Sequence, residues 1–246
     1  MPATPAWPPK SLPRLFVRKP LAQWTELEID GGPAHYLANV LRLKEGAELL
    51  VFDGQSGEWL AKIVLARKGR LKLSVERKTR EVESVPDVWL AFAPVKRAQT
   101  DWLVEKATEL GVARLIPVMT QRTVAERVKL ERISAIAIEA AEQCGRTVLP
   151  EITEPLPLGR LLGERDSGRT LYFADEGGGE PAAEAFKAGP ALLLTGPEGG
   201  FTEEERTAVR ASPNAVPISL GPRILRAETA ALAALAAWMS AVGDWR

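Results

Sequence analysis

Residues 191–205 read ALLLTGPEGGFTEEE, and this stretch decides the fold of the chain. Its opening residues are apolar without interruption, which is typical of a strand buried on both faces of a parallel sheet. Thr202 and Glu205 have the spacing of a capping box, which predicts that a helix begins there. The glycines between strand and helix permit positive φ angles and a close approach to the backbone. The stretch therefore predicts one strand–turn–helix unit of an α/β fold.

The same alternation of apolar runs and helical patterns extends to both sides of this unit. Gly111 follows the first helical pattern, at the place where a C-cap glycine belongs. Strands that alternate with helices predict a layered α/β fold with a mainly parallel sheet. The predicted strands are 88–93, 115–119, 171–174 and 191–194, and the predicted helices are 99–110, 129–143, 202–211 and 227–242.

The first 80 residues follow a different pattern. Two runs with strand composition, 49–52 and 59–65, flank a glycine-containing loop and predict a β-hairpin. A third run, 70–75, alternates apolar and polar residues as a half-buried strand does. Residues 33–43 are predicted to form a short helix. Together these elements predict a small β-barrel with one helix.

The charged segment 79–86 ends in proline and predicts a linker between a domain 1–80 and a domain 81–246. The formal net charge of the chain is zero, but the two predicted domains differ. The first holds 14 Lys and Arg against 8 Asp and Glu, and the second holds 18 against 24. This asymmetry indicates that the first domain meets a polyanion. A chance distribution of solvated charge is the alternative.

The composition excludes several classes of site. With Cys144 as the single cysteine and His35 as the single histidine, the chain has no intramolecular disulfide, no multi-cysteine zinc site and no pair of imidazoles. Catalysis must depend on carboxylates, basic side chains, backbone groups or an organic cofactor. The longest apolar stretch, 230–239, is too short to cross a bilayer, and residues 1–15 lack the apolar run of a signal peptide. We expect a cytoplasmic protein that binds neither membrane nor metal.

The glycine-rich turn at 196–200 is the first candidate site, because ligands of parallel sheets lie beyond the carboxyl ends of the strands. A glycine turn before a helix usually indicates phosphate, but this one lacks the Gly-Lys-Ser/Thr ending of a phosphate loop. Glu198 and the carboxylates of 203–205 would repel phosphate. They suit a ligand with hydroxyls and a positive charge, and S-adenosylmethionine has both. A structural turn that binds nothing is the alternative.

Residues 218–230, ISLGPRILRAETA, form the second candidate site. A strand ends in Leu-Gly-Pro, a short basic and apolar turn follows, and an alanine-rich helix begins. Arg226 and Glu228 stand at this strand-to-helix turn, where sites form in α/β folds. Residues 230–242 are expected to be a packing helix.

The motifs GPEGGFTEEE (196–205) and LGPRILRAETA (220–230) resemble the signatures of the RsmE family. These are the bacterial 16S ribosomal RNA uracil-N3 methyltransferases of the SPOUT, or trefoil-knot, class. Asn39 stands where many members carry a basic residue. The resemblance covers nearly the whole chain and includes RLFV (14–17), HYLANVLRLK (35–44), VFDG (51–54), DWLVEKATELG (101–111) and EAAEQCGR (139–146).

The resemblance implies a PUA-like, RNA-binding β-barrel at 1–80 and a SPOUT domain at 81–246 with a deep trefoil knot at about 192–232. It also implies a homodimer that uses S-adenosylmethionine to methylate N3 of uridine 1498 in 16S ribosomal RNA, free or in the small ribosomal subunit. A knotted methyltransferase acting on another base or a ribose hydroxyl, and an RNA-binding protein without catalysis, are the alternatives. The implied cofactor contacts are Leu194, Thr195, Gly196, Glu198, Gly199, Gly200, Ile218, Leu220, Gly221, Ile224, Leu225, Arg226 and Thr229.

The expected reaction suggests roles for the charged residues. Uracil N3 is a poor nucleophile until it loses its proton, and the negative charge then spreads to the flanking carbonyl oxygens. A fixed guanidinium stabilises such charge, so we assign this role to Arg226, with a phosphate clamp as the alternative. Glu198 or Glu228 could accept the proton, or either could only hold the cofactor or the turn. The candidates for RNA phosphate contacts are Arg14, Arg18, Arg42, Lys44, Lys96 and Arg122.

Overall fold

The structure is a computed structural model that describes residues 12–67, 69–124 and 128–245. The chain forms two compact units. The first consists of the described residues up to Glu83 together with Gly145–Val148. The second consists of Ser84–Cys144 and the described residues from Leu149 onward. The return of a four-residue segment to the first unit was not predicted, because it depends on contacts between residues distant in the sequence.

The first unit contains a five-stranded sheet in the order β1-β3-β4-β5-β2. The predicted hairpin is confirmed as the antiparallel pair β3 and β4, whereas β1 runs parallel to β3. Apolar side chains such as Leu49, Ile63 and Leu73 form the core of this unit. The strands are β1 (Arg14–Phe16), β2 (Glu26–Asp30), β3 (Glu48–Phe52), β4 (Glu58–Arg67) and β5 (Arg70–Arg80).

The helical segment of the first unit differs from its prediction in length and type. A short helix α1 (Gly31–His35) continues into a π-helical turn, Tyr36–Val40, so the segment ends before residue 43. Arg42 adopts a φ of 56°, a left-handed conformation that cannot continue a right-handed helix. The backbone at this one residue explains the early end.

Glu58 forms ion pairs with two arginines of the first unit. Its buried carboxylate accepts hydrogen bonds from Arg14 Nε (2.7 Å), Arg80 Nη2 (2.8 Å) and Thr79 Oγ1 (3.1 Å). The two arginines also donate to the carbonyls of the returning segment, at Arg146 and Gly145. Burial alone would raise the pKa of Glu58, but the hydrogen bonds from Arg80 and Arg14 outweigh it and leave the pKa below its ordinary value. The carboxylate is therefore charged and fully used inside the unit.

The second unit is built on an eight-stranded sheet whose main path runs β11-β13-β10-β12-β6-β7-β8, with β9 paired to β7. Every strand pair in it is parallel. The strands are β6 (Val88–Phe92), β7 (Arg114–Met119), β8 (Glu151–Ile152), β9 (Leu156–Pro157), β10 (Thr170–Ala174), β11 (Glu180–Pro181), β12 (Ala191–Thr195) and β13 (Ala215–Ser219). The helices are α2 (Arg97–Glu109), α3 (Leu130–Cys144), α4 (Leu158–Glu164), α5 (Ala182–Ala185), α6 (Glu203–Arg210) and α7 (Ala227–Ala241).

The apolar run of β12 is buried on both faces, as predicted. Leu193 belongs to a core formed with α2, α3 and α7, and Leu192 belongs to a second core formed with α4 and α6. Successive side chains of a strand point to opposite faces, so one run of leucines supplies both cores. Among the described residues, no helix is long and apolar enough to cross a bilayer.

We predict that Glu58→Gln lowers the free energy of unfolding by about 3 kcal/mol at pH 7, because it removes the charge that pairs with the buried guanidinium of Arg14 and the half-exposed one of Arg80. A carboxyl group with a lowered folded-state pKa stabilises the protein above its unfolded pKa, and this contribution disappears as the pH falls. The difference from wild type should therefore shrink between pH 7 and pH 3.5 in urea denaturation followed by circular dichroism. Glu48→Gln, at an exposed glutamate of β3, is the control. An equal loss at both pH values would contradict the role of the charge.

Candidate functional site

Three adjacent parallel strands, β10, β12 and β13, end at the same edge of the second sheet. The turns that follow Ala174, Thr195 and Ser219 line one cleft of about 400 Å³. Such a position, beyond the carboxyl ends of parallel strands, is where α/β folds bind ligands. The two turns that the sequence singled out are thus neighbours, and a third turn joins them.

The turn after β12 is held by Glu205. In the predicted capping box, which is confirmed, Glu205 N donates to Thr202 Oγ1 (3.2 Å) and Thr202 N donates to Glu205 Oε2 (3.0 Å). The other carboxylate oxygen accepts from Gln121 N (2.7 Å), in the turn after β7. Arg122 donates to the carbonyl of Gly199 (2.7 Å). The glycine turn is thereby fixed from its outer side.

Gly200 in this turn has no room for a side chain. Its φ is 66°, and an added Cβ would lie 2.5 Å from Glu176 Oε1. Gly199 has no positive φ, and its added Cβ would lie 3.5 Å from the Arg122 side chain, an ordinary contact. The two neighbouring glycines therefore differ in what they require of the backbone.

The turn after β10 is organised by Asp175, whose side chain is fully buried. Its carboxylate accepts from Arg210 Nε (3.0 Å) and Gly177 N (2.8 Å) and forms an ion pair with Arg206 (3.2 Å). Arg206 also donates to Glu176 (3.0 Å). The sequence prediction missed this turn. Its signal is the run Asp-Glu-Gly-Gly-Gly at 175–179, directly after a predicted buried strand.

The turn after β13 is open toward the cleft. Gly221 has a φ of 103°, and no atom lies within 4 Å of an added Cβ. Arg226 is exposed at the N-cap of α7, and its guanidinium makes no hydrogen bond or ion pair with any residue that the structure describes. Glu228 is 7% exposed in the first turn of α7 and is not part of the cleft wall. Arg226 therefore presents a free cation at the cleft.

The cleft contains ten of the thirteen predicted cofactor contacts. The other three, Leu194, Gly199 and Thr229, lie outside its wall. Leu194 is buried in the core with α4 and α6, Gly199 lies against Arg122, and Thr229 is exposed on α7. The ten in the wall are Thr195, Gly196, Glu198, Gly200, Ile218, Leu220, Gly221, Ile224, Leu225 and Arg226.

The predicted RNA contacts are not equally available. Arg14 requires a correction: its side chain is 4% exposed, bonded to Glu58 and placed over the Phe52 ring (4.5 Å), so it supports the first unit instead of meeting RNA. Arg122 is exposed but bonded to the glycine turn. The remaining four are exposed: Arg18, Arg42 and Lys44 in the first unit, and Lys96 in the second.

Within residues 12–67, 69–124 and 128–245, no group of three or more His, Cys, Asp or Glu side chains is placed to hold a metal ion. The ionic contacts of this site instead join carboxylates to arginines, as at Asp175.

Comparison with known proteins identifies the family of this chain. The sequence pattern of the family described as "RNA methyltransferase domain" matches residues 82–239, and that of "RNA methyltransferase PUA domain" matches residues 29–76. A ribosomal RNA small subunit methyltransferase E from Rickettsia conorii is 31% identical over 91% of this chain and 93% of the relative. The chain belongs to the ribosomal RNA small subunit methyltransferase E family.

Two further members of this family extend the comparison. The protein of the same name from Bacillus subtilis is 32% identical over 85% of this chain and 88% of its own length. The crystal structure of the Neisseria gonorrhoeae member bound to S-adenosylmethionine has a TM-score of 0.88, with 26% identity over 96% of this chain and 100% of that chain. The family resemblance of the motifs at 196–205 and 220–230 is confirmed, as is an α/β fold with a PUA-like first domain.

We predict that Gly200→Ala lowers the free energy of unfolding by about 1–2 kcal/mol, because alanine resists a left-handed conformation and its Cβ displaces Glu176 from Arg206. Gly199→Ala is the matched control and should change stability by less than about 0.5 kcal/mol. Urea denaturation of both variants measures the difference. Equal stability of the two variants would show that the turn relaxes freely.

Proposed function

We propose that this chain transfers a methyl group from S-adenosylmethionine to N3 of uridine 1498 in 16S ribosomal RNA. Membership of the ribosomal RNA small subunit methyltransferase E family supports the reaction class and the substrate class. The observation that carries the proposal is the cleft itself. Its wall contains ten of the residues that the family resemblance implies as cofactor contacts.

The cleft fits a methyl donor of this kind. Its volume of about 400 Å³ lies in the range of small-molecule sites, and its wall is formed by residues of three turns. Gly221 leaves space on the side where any other residue would carry a side chain. Glu198 is exposed in the wall and suits a sulfonium and ribose hydroxyls. The negative charge of Asp175 is paired with two arginines, so this residue supports the turn instead of binding the ligand.

Arg226 and Glu198 are the residues proposed for the chemistry. S-adenosylmethionine, when bound, supplies an electrophilic methyl group. The proton of uracil N3 passes to the Glu198 carboxylate, and the electron pair of the N–H bond stays on N3. The free guanidinium of Arg226 stabilises the negative charge that spreads to the flanking carbonyl oxygens. Glu228 is less suited as the proton acceptor, because it is buried and outside the cleft wall.

RNA binding is assigned mainly to a domain 1–80, and catalysis to a domain 81–246. Arg18, Arg42 and Lys44 are exposed and would give the first domain a salt-dependent affinity for phosphates. Asn39 is also exposed and contributes no charge, which removes one contact that many relatives have. The target base must leave any stack to reach the methyl group.

The trefoil knot at residues 192–232, the homodimer and the cytoplasmic location belong to the same proposal. The knot and the homodimer rest on the resemblance of the motifs, the cytoplasmic location rests on the composition and the length of the apolar stretches, and all three stay predictions. The family implies either free 16S ribosomal RNA or the small ribosomal subunit as the partner.

Two rival functions are distinguished by product analysis. We expect the purified protein with S-adenosylmethionine to produce 3-methyluridine in 16S ribosomal RNA or small subunits isolated from a strain that lacks the modification. Nucleoside mass spectrometry after digestion identifies the product. Recovery of another methylated base or of a 2′-O-methylated nucleoside would contradict the uracil-N3 assignment. A calorimetric titration without any binding of S-adenosylmethionine would favour the RNA-binding protein without catalysis.

We predict that Arg226→Ala lowers the single-turnover rate of methyl transfer by about 100-fold or more, because a charge-stabilising donor at the reacting base is lost. Arg226→Lys should recover only part of this rate, since an ammonium lacks the planar fork. RNA affinity, measured by fluorescence anisotropy, should change little. Arg160→Ala, at an exposed arginine of α4, is the control. A normal rate combined with weakened RNA binding would instead identify Arg226 as a phosphate clamp.

A further inference from the structure

A second cleft, of about 640 Å³, lies in the second unit between the N-terminal ends of α2 and α3. We call it the α2–α3 cleft. Its floor is apolar and buried, with Pro94, Val95 and Ile133. Among the described residues that line the cleft, Thr100 is a buried polar side chain, and it is satisfied by hydrogen bonds with the backbone of Val95 (3.1 Å). The floor is therefore an apolar surface against which a flat ring can pack.

The rim of the α2–α3 cleft is basic. Arg132 donates to Asp101 (2.9 Å), and this hydrogen bond holds the pKa of Asp101 below its usual value, so the two charges neutralise each other. Lys96 and Lys129 are exposed, and their side-chain ammonium groups make no hydrogen bond or ion pair in the described part of the chain. Arg97 adds a third cation.

The start of α2 adds to this positive potential. The first turn of α2 contains no acidic residue, and its N-cap makes no side-chain capping bond. The partial positive charge of the helix N-terminus is therefore not compensated locally. The rim suits an anion, while the floor suits an apolar ring.

Glu198 also lies in the wall of the cleft formed by the turns after β10, β12 and β13, which we call the methyl-donor cleft. It is the one residue, among those the structure describes, that lines both clefts. A ring in the α2–α3 cleft would thus meet a carboxylate that also borders the proposed position of the donor. A chain of nucleotides has the required combination, because its bases are flat and its phosphates are anionic.

We propose that the α2–α3 cleft binds the target nucleotide of a single-stranded RNA segment. The base lies on the floor of Pro94, Val95 and Ile133 with its N3 toward Glu198, and the flanking phosphates contact Lys96, Arg97 and Lys129. The inference rests on the proposed function and adds to it the subsite for the substrate. It also explains why part of the positive charge lies in a domain whose balance is acidic overall.

Charge reversal at the rim tests the proposal. Arg97→Glu and Lys129→Glu should each raise KM for the RNA substrate about tenfold or more, and each lost phosphate contact should reduce the slope of log affinity against log salt by about 0.7. Affinity for S-adenosylmethionine, measured by calorimetry, should stay within twofold of wild type. Lys187→Glu makes the same charge change at an exposed lysine that lines neither cleft, and it is the matched control.

A photo-crosslink locates the base directly. RNA with 4-thiouridine at the target position is irradiated with the full-length wild-type protein, and the crosslinked peptide is identified by mass spectrometry. We expect peptides that contain residues 94–101 or 128–133. Crosslinks elsewhere, or rim variants that behave like Lys187→Glu, would overturn the subsite. The proposed function would still stand in that case if the wild-type protein transfers the methyl group. Loss of self-association in Lys129→Glu with unchanged RNA affinity would also overturn it, and would indicate a second copy in the cleft. Crosslinks in the cleft without methyl transfer would keep the subsite and refute the proposed reaction.

Discussion

Two buried carboxylates, Glu205 at the start of α6 and Asp175 in the turn after β10, hold two of the three turns that line the proposed cofactor cleft. Glu205 accepts hydrogen bonds from its own capping box and from the turn after β7, and Asp175 accepts donors from the turn after β10 and from α6. The oxygens of a buried carboxylate need hydrogen-bond donors, and the charge of Asp175 is in addition paired with Arg206 and Arg210. The hydrogen-bond donors come from separate segments. Their bonds therefore fix the turns after β7, β10 and β12 relative to α6.

This arrangement separates support from chemistry. The charged groups that hold the turns, Asp175, Arg206 and Arg210, are engaged with one another, whereas Arg226 and Glu198 are exposed at the cleft. In the proposed reaction the supporting groups would align the two reactants while Arg226 and Glu198 stay available for them, and alignment contributes strongly to methyl transfer. The basic rim of the α2–α3 cleft, which Glu198 also lines, is the surface proposed for the RNA phosphates.

The elements that were predicted correctly depend on neighbours in the sequence. The run 191–194, the capping box of Thr202 and Glu205 and the C-cap at Gly111 are each determined within a few residues, and all three are present. The turn at 175–179 was missed because the arginines that make Asp175 important lie more than 30 residues away on α6. The two-residue strands β8, β9 and β11 have no periodicity to detect.

By itself, the sequence determined the alternation of strands and helices, the two signature turns and the family, because these depend on local patterns of apolar residues, glycines and caps. Tertiary structure decided which charged side chains are free. Arg14 reads like any surface arginine in the sequence, yet Glu58 on another strand pairs with it and buries it, while Arg226 has no such partner in the described residues. Charge availability depends on contacts between distant segments, and only the fold brings those segments together.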